Sequence, residues 1–232
     1  MSKKIVILTI LAIMAPAIVF AQANTVGDLT TKHNDFSISG CFINMQPMNS
    51  YIAGLGVFPG SFGDMIWLFN YAQKNQMDDK TLWGLKFSTT LTGLAVLDPN
   101  FLKREISLGT TNKAEFSVTM VQFTTEYQVV KFGPISVNAG LGFGIGGSKL
   151  TLIGDKSARF WNVSLLISPQ ASINYHVLEE SGSGAILWFS TAYNYIPPSG
   201  WTQDGGSLKI PPIMDLSSLA LEVGVTFPFN TK

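Results

Sequence analysis

Residues 135–146 read Ile-Ser-Val-Asn-Ala-Gly-Leu-Gly-Phe-Gly-Ile-Gly, in which apolar side chains alternate with polar side chains or with glycine. Successive side chains of a β-strand point to opposite faces of the sheet. One face of this segment is therefore wholly apolar, and the other carries polar side chains or only glycine. The segment predicts a long strand that lies between two different environments.

The same alternation recurs along the chain, at about 35–45, 83–92, 113–130, 161–177, 187–195 and 219–229. Between 113 and 130 the apolar face changes from Phe116, Val118 and Met120 to Val121 and Phe123, which we interpret as a β-bulge. Residues 64–73 also alternate, but they fit a helical stripe as well. We favour a strand there. The alternative places a strand at 51–58 and a helix at 61–77, and both versions give eight strands.

The connections between these strands alternate in length. Short links fall at about 74–81, 131–133 and 178–184, and mostly longer ones at 46–63, 98–112, 153–158 and 197–213. Short turns on one side and longer loops on the other are typical of antiparallel barrels in an outer membrane. The predicted fold is all-β, an eight-stranded antiparallel up-and-down transmembrane β-barrel.

A secreted β-sandwich or lipocalin-like domain would show the same period, but three features favour lipid. Several predicted strands exceed the ~9–11 residues that cross a bilayer at a tilt. Aromatic residues such as Trp83, Trp161 and Tyr195 stand near strand ends, where interfacial girdles form. No charged residue falls at mid-strand on a predicted apolar face, so these faces are expected to contact membrane lipid.

The N-terminus indicates export. Lys3 and Lys4 precede an apolar run that ends before Ala21-Gln22-Ala23, which is the pattern of a secretory signal peptide. The alternative is a membrane-anchoring helix. We predict a signal peptide at 1–23, an N-terminal arm at 24–34 and the barrel at 35–232, in the cell outer membrane.

Composition excludes some functions. The 15 basic residues balance the 15 acidic ones, so no basic field exists that would attract a nucleic acid. Cys41 is the only cysteine, so no disulfide can form within the chain.

With these features the mature chain resembles the small eight-stranded bacterial outer-membrane β-barrels. In that group the last strand typically ends in an aromatic residue that the barrel-assembly machinery recognises. The resemblance implies that Phe227 and Phe229 form this assembly signal, although residues 230–232 follow them.

Residues 142–147 match the dinucleotide motif G-x-G-x-x-G, but a strand-like segment follows where that motif needs a helix. We therefore interpret Gly140, Gly142, Gly144 and Gly146 as a glycine stripe on the lumen face. The stripe leaves room for bulky side chains such as Trp188, and for a small ligand in the alternative function below.

Charged residues also fall on the predicted lumen face. Pairing the third and fourth strands brings Lys86 near Thr124 and Glu126, which predicts a Lys86–Glu126 ion pair, with Glu222 as a further lumen acid. Enclosed charges are usually paired, because an unpaired one costs several kcal/mol.

Eight strands enclose a space just wide enough for side chains or one small ligand. We therefore rank a structural or surface-interaction role first, with a protein partner bound through the outer loops. Binding or narrow transport of a small molecule through the glycine-lined lumen ranks second. A lipid-modifying enzyme ranks third, because His176 is expected at the inner end and no serine pairs with it in the sequence. His33 lies in the predicted N-terminal arm, so we predict neither a metal site nor a cofactor.

Overall fold

The computed structural model describes residues 31–56, 61–90, 105–108, 112–177, 184–204 and 208–230. The predicted signal peptide and most of the loop at 98–112 lie outside these residues. The elements are β1 Thr31–Phe42, α1 Gln46–Gly54, β2 Met65–Gln76, β3 Thr81–Thr90, β4 Glu105–Leu108, β5 Asn112–Phe132, β6 Ile135–Ile153, β7 Ala158–His176, β8 Ile186–Asn194, β9 Thr202–Asp204 and β10 Ser218–Asn230.

Eight of these strands form a closed antiparallel ring in the order β1, β2, β3, β5, β6, β7, β8, β10. Pairing of β3 with β5 and of β1 with β10 completes the ring. The short strands β4 and β9 add to β5 and β7. The links at 77–80 and 133–134, together with both termini of the ring, define its inner end. The longer connections define the outer end.

The wall of the barrel is apolar on the outside. Leu141, Leu165 and Val223 are exposed, whereas Asn138 and Glu222 are buried in the interior. A soluble sheet would bury the first set and expose the second. The prediction of an eight-stranded transmembrane β-barrel is confirmed, since this arrangement places the hydrocarbon-like surface where lipid would lie.

The interior changes character along the barrel axis. Its inner half is polar, but its outer half holds an apolar core that includes Phe116, Leu150, Phe160 and Leu166. At the outer end of β5 the residues that face away from this core are polar or charged: Lys113, Glu115, Ser117 and Thr119. This end of the wall is therefore apolar inside and polar outside, like a soluble sheet.

This change explains the apparent phase slip in β5, and the predicted bulge at that point is wrong. Residues 113–128 keep one register against β6 without interruption. The apolar side chains change face between Met120 and Val121 because the strand passes from an apolar interior to an apolar exterior. The register shift in this ladder lies further on, between Gln128 and Val130.

The favoured version of the second strand is correct, since β2 spans Met65–Gln76. The alternative is wrong, because the helix lies in the preceding connection. Pro47 in the first turn suits its start, and Met48 and Ile52 form its buried face.

The ring begins at Thr31 and so includes residues 31–34 of the predicted arm. No helix among the described residues combines the length and apolarity needed to cross a bilayer.

Gly144 is a sensitive point in the ring. A Cβ there would lie 2.0 Å from the backbone oxygen of Val121 on the paired strand, whereas a Cβ at Gly54, in α1, would meet nothing within 4 Å. We expect Gly144→Ala to prevent folding of most of the protein and Gly54→Ala to be neutral. The measurement is gel mobility of detergent-extracted protein before and after boiling, because a folded barrel migrates differently from the boiled chain. Equal folded fractions in the two variants would contradict this account.

Candidate functional site

An ion triad crosses the inner half of the barrel. The Nζ of Lys74 on β2 lies 2.5 Å from Asp35 Oδ2 on β1 and 2.6 Å from Glu126 Oε1 on β5. Gln170 donates a further hydrogen bond to Glu126 Oε1 at 3.0 Å, and the Thr226 hydroxyl donates to Asp35 Oδ1 at 2.7 Å. Charge-assisted hydrogen bonds of this kind are stronger than neutral ones, so the triad ties several strands together across the lumen.

A second ion pair lies further toward the outer end. Lys86 Nζ on β3 lies 2.6 Å from Glu222 Oε2 on β10. The hydroxyl of Ser37 donates to Glu222 Oε1, and that of Ser190 donates to Oε2 at 3.4 Å. The carboxylate of Glu222 therefore has partners on three other strands, β1, β3 and β8.

The structure places Lys86, Glu126 and Glu222 in the interior but does not form the expected Lys86–Glu126 pair. Lys86 is opposite Gln122 in the β3–β5 ladder, and Glu126 is opposite Leu82, four residues nearer the inner end, which is about 13 Å along a strand. Sequence reasoning missed Lys74 and Asp35. Placing β2 firmly as a strand would have put Lys74 on the same face as Asn70 and Ala72, and hence in the lumen.

The four glycines of the predicted stripe face the interior, but the space over them is filled. A Cβ at Gly142 would lie 2.2 Å from the side-chain oxygen of Gln122, and one at Gly146 would lie 2.8 Å from Ile196 Cδ1. At Gly140 the crowding comes from the Thr125 backbone oxygen and from the side chains of Gln170 and Glu126, and at Gly144 it comes from the β5 backbone. Trp188 packs over Gly224 on β10 rather than over this stripe.

The outer end is closed by a cap that consists of α1 and the connections packed on it. Met45, Met48 and Ile52 are completely buried within the apolar core. Lys156 donates to the Leu55 carbonyl at 2.5 Å, and the Tyr51 hydroxyl donates to the Lys209 carbonyl at 2.6 Å. Asn49 exchanges two hydrogen bonds with the backbone of Phe62. Three different connections therefore hold the helix in place.

Two connected cavities lie below this core. A cavity of about 50 Å³ is enclosed by the polar layer and includes both ion clusters in its lining. A wider bowl of about 330 Å³ opens at the inner end between residues of the short links. His33, Asn138, Asn174 and Ile186 line both spaces, so the small cavity adjoins the bowl.

The structure also shows a serine–histidine pair that the sequence analysis did not find. Ser136 Oγ on β6 lies 3.0 Å from His176 Nε2 on β7, in the wall of the bowl. The β6–β7 register, in which Ser136 is opposite Asn174, could have revealed it. Ser136 is only 1% exposed, and no carboxylate contacts His176 among the described residues. Within the same residues no cluster of three potential metal ligands occurs.

The predicted assembly signal is described in part. Phe227 lies on the exposed outer face of β10, near the inner end, where it contacts Phe36 with ring centroids 6.3 Å apart. The side chain of Phe229 lies outside the described part of the structure.

No protein-family model and no curated protein sequence matches this chain. Solved structures do. Neisserial surface protein A matches with a TM-score of 0.52 and 12% identity over 86% of this chain and 97% of that one. Ail, the attachment invasion locus protein of Yersinia pestis, matches with a TM-score of 0.48 and 10% identity over 88% and 100% of the two chains. OprG from Pseudomonas aeruginosa has a TM-score of 0.48 and 12% identity over 88% and 96%.

The likeness to the Neisserial protein shows a shared fold. Taken with the closed ring of eight strands, the apolar outer wall and the ion-paired interior, it defines this protein as a transmembrane β-barrel of the outer-membrane class. In outer-membrane barrels the short turns face the periplasm and the longer loops face the outside, so we expect the short links on the periplasmic side and the cap outside the cell.

Lys74 is expected to carry most of the electrostatic stability of the inner half. Lys74→Met would leave Asp35 and Glu126 as enclosed carboxylates without their shared cation, at a cost of about 3–5 kcal/mol. Lys113→Met is the matched control, because Lys113 pairs with Glu115 on the exposed wall, where such a pair contributes less than about 1 kcal/mol. Urea unfolding in lipid vesicles measures both, and equal losses of unfolding free energy would contradict the role of Lys74.

Tyr51 should make the cap sensitive to alkali. Burial raises the pKa of its phenol above the ordinary value, so the protonated phenol is favoured in the folded cap. The corresponding stability is complete at neutral pH and is lost as pH rises through the raised pKa. Proteinase K cleavage within α1 should therefore increase at strongly alkaline pH, and Tyr51→Phe should remove the part of that increase due to this residue. An unchanged pH profile in the variant would show that Tyr51 does not hold the cap.

Proposed function

We propose that this protein is a closed outer-membrane barrel that acts by presenting its extracellular cap to a protein partner, and not by conducting solutes. The observation that carries this proposal is the complete burial of Met45, Met48 and Ile52 in the outer half of the lumen. A close-packed apolar protein interior has little space for water or ions. Any solute crossing the barrel would have to displace this core and then the ion-paired layer below it.

The cap has features that suit an interaction surface. The connection between β8 and β10 is ordered by Trp201, which is buried and donates a hydrogen bond to the Pro212 carbonyl at 2.8 Å. The same connection exposes two large apolar side chains, with Ile210 at 52% and Ile213 at 65%. Residues 208–213 lie beside this hydrogen bond, and a segment held in place before binding loses less conformational entropy when a partner covers its apolar side chains.

Small-molecule transport and lipid modification have less support. The space over the glycine stripe is occupied by Gln122, Ile196 and their neighbours, which does not favour transport along it. The Ser136–His176 pair lacks a carboxylate partner among the described residues, and the serine hydroxyl is enclosed. Recognition of Phe227 and Phe229 by assembly machinery stays a prediction.

Planar-bilayer recording tests the closed lumen. We expect the refolded protein to insert without producing steady ion conductance, because the apolar core fills the outer half of the lumen and an ion-paired layer crosses the inner half. Insertion is verified on the same preparation by gel mobility before and after boiling. Discrete, lasting conductance steps from folded protein would overturn the proposal.

The partner surface is tested separately in intact cells. Replacing Ile210 and Ile213 by serine should leave folding and surface display unchanged, since both side chains already contact solvent. The double variant should lose adhesion to host or neighbouring cells if the cap acts through these residues. Lys149→Ser, on the exposed wall of β6, serves as the control. Equal adhesion of all three proteins would contradict a role for this loop.

A further inference from the structure

The small cavity in the polar layer carries an excess of negative charge. Its lining includes three carboxylates, Asp35, Glu126 and Glu222, but only two ammonium groups, Lys74 and Lys86. With a neutral histidine the net charge of this lining is therefore −1. A cationic guest would neutralise the cavity, whereas an anion would be repelled by it.

Several polar atoms that line the cavity also lack partners within the described residues. The side-chain oxygen of Asn138 is buried without a hydrogen bond. Neither ring nitrogen of His33, which is only 8% exposed, has a partner at good hydrogen-bond geometry, although the Gln76 side chain interacts with the ring. The hydrogen bonds from Lys74 and Gln170 to Glu126 both end on Oε1, and no described group donates to Oε2. Buried polar atoms of this kind usually have a partner.

The available atoms are mostly acceptors. Glu126 Oε2 and Asn138 Oδ1 accept hydrogen bonds, and a neutral imidazole accepts through one nitrogen. Glu126 and Asn138 lie on the inner faces of paired strands, where Glu126 is opposite Gly140 and Asn138 is opposite Gln128. A primary ammonium group has three donors and no acceptor. It therefore matches the charge of the cavity and the acceptors of this set, while the N–H donors of His33 and Trp188 need a different partner, such as water.

Size and access limit the guest further. About 50 Å³ admits roughly three to five water-sized groups, which suits an ammonium group with a short alkyl stem. The cavity shares lining residues with the bowl of about 330 Å³ at the inner end, and the apolar core lies on its outer side. A guest must therefore arrive from the periplasm.

We propose that this cavity binds a primary ammonium group presented from the periplasmic side, held by Glu126, Asn138 and His33. The aromatic face of Trp188 completes the site, since it already lies 6.0 Å from the Lys74 ammonium and attracts cations. Its unpartnered indole N–H lies in the same lining and reports on occupancy. The site is independent of the closed outer cap, and it needs no passage through the barrel.

The test uses the full chain in detergent micelles at pH 8, where an unperturbed histidine is neutral and an alkylamine is protonated. Propylammonium chloride is titrated while the indole N–H signals are followed by NMR. We expect a saturable shift of the Trp188 signal, which Trp188→Phe identifies by its disappearance. The Trp201 signal, which belongs to the cap, should not move. 1-Propanol, which matches the size but lacks the charge, should give no saturable shift.

Two variants assign the shift to the proposed groups. Glu126→Gln should weaken propylammonium binding about tenfold, as expected for loss of a charged hydrogen-bond partner, while Glu115→Gln on the outer face of the same strand should not. Asn138→Asp should bind more tightly, since it adds a carboxylate. This gain remains measurable even if Glu126→Gln folds poorly.

A blocked dipeptide that contains lysine, compared with its norleucine counterpart, distinguishes the two sources of an ammonium group. Tighter binding of the lysine peptide than of propylammonium indicates a polypeptide side chain, and weaker binding indicates a small free amine. No saturable shift with propylammonium, an equal response to 1-propanol, or unchanged affinity in Glu126→Gln and Asn138→Asp would overturn the proposal and leave only water in the cavity.

Discussion

Closure of the ring by the β3–β5 pair is the constraint on which the rest of the molecule depends. Backbone N–H and C=O groups at the edge of an open sheet would have no partner in hydrocarbon, so a sheet can cross a bilayer only when every strand is paired on both sides. With eight strands, closure also sets a narrow interior. The side chains that point inward must therefore fill this space, and their polar groups must form hydrogen bonds or ion pairs with one another.

The two halves of the interior meet this requirement in different ways. Within the membrane, the outside must be apolar, so the inward positions carry the polar and charged groups, and these pair as Asp35–Lys74–Glu126 and Lys86–Glu222. Beyond the membrane, the wall meets water on its outside. There the inward positions become apolar, and α1 with its neighbouring connections completes a core of the ordinary soluble kind. The barrel is thereby closed at the outer end, while a polar space remains open to the periplasmic side.

Much of this architecture could be predicted from the period of the sequence, because every second residue of a strand in the membrane faces lipid and must be apolar. β6 shows this clearly, and its predicted inner face is the observed one. In β5 the same reasoning misread a change of environment as a bulge, since alternation alone does not say whether the apolar face looks inward or outward. The candidate site was harder to predict. Alternation places Lys86, Glu126 and Glu222 on the inner face. Which of these charges pair with each other depends on the strand register, and for that reason the predicted Lys86–Glu126 ion pair was wrong.

By itself, the sequence determined that the chain forms long antiparallel strands with one lipid-compatible face, because side-chain alternation is a local property of extended backbone. Only the tertiary structure decided which enclosed charges meet, that a short helix completes the outer core, and that unpartnered acceptors gather around one small cavity. These features join residues far apart in the chain, such as Lys74 with Glu126 and Tyr51 with Lys209. The distances between these residues depend on the closure and register of the whole ring, and neither can be derived from a local sequence pattern.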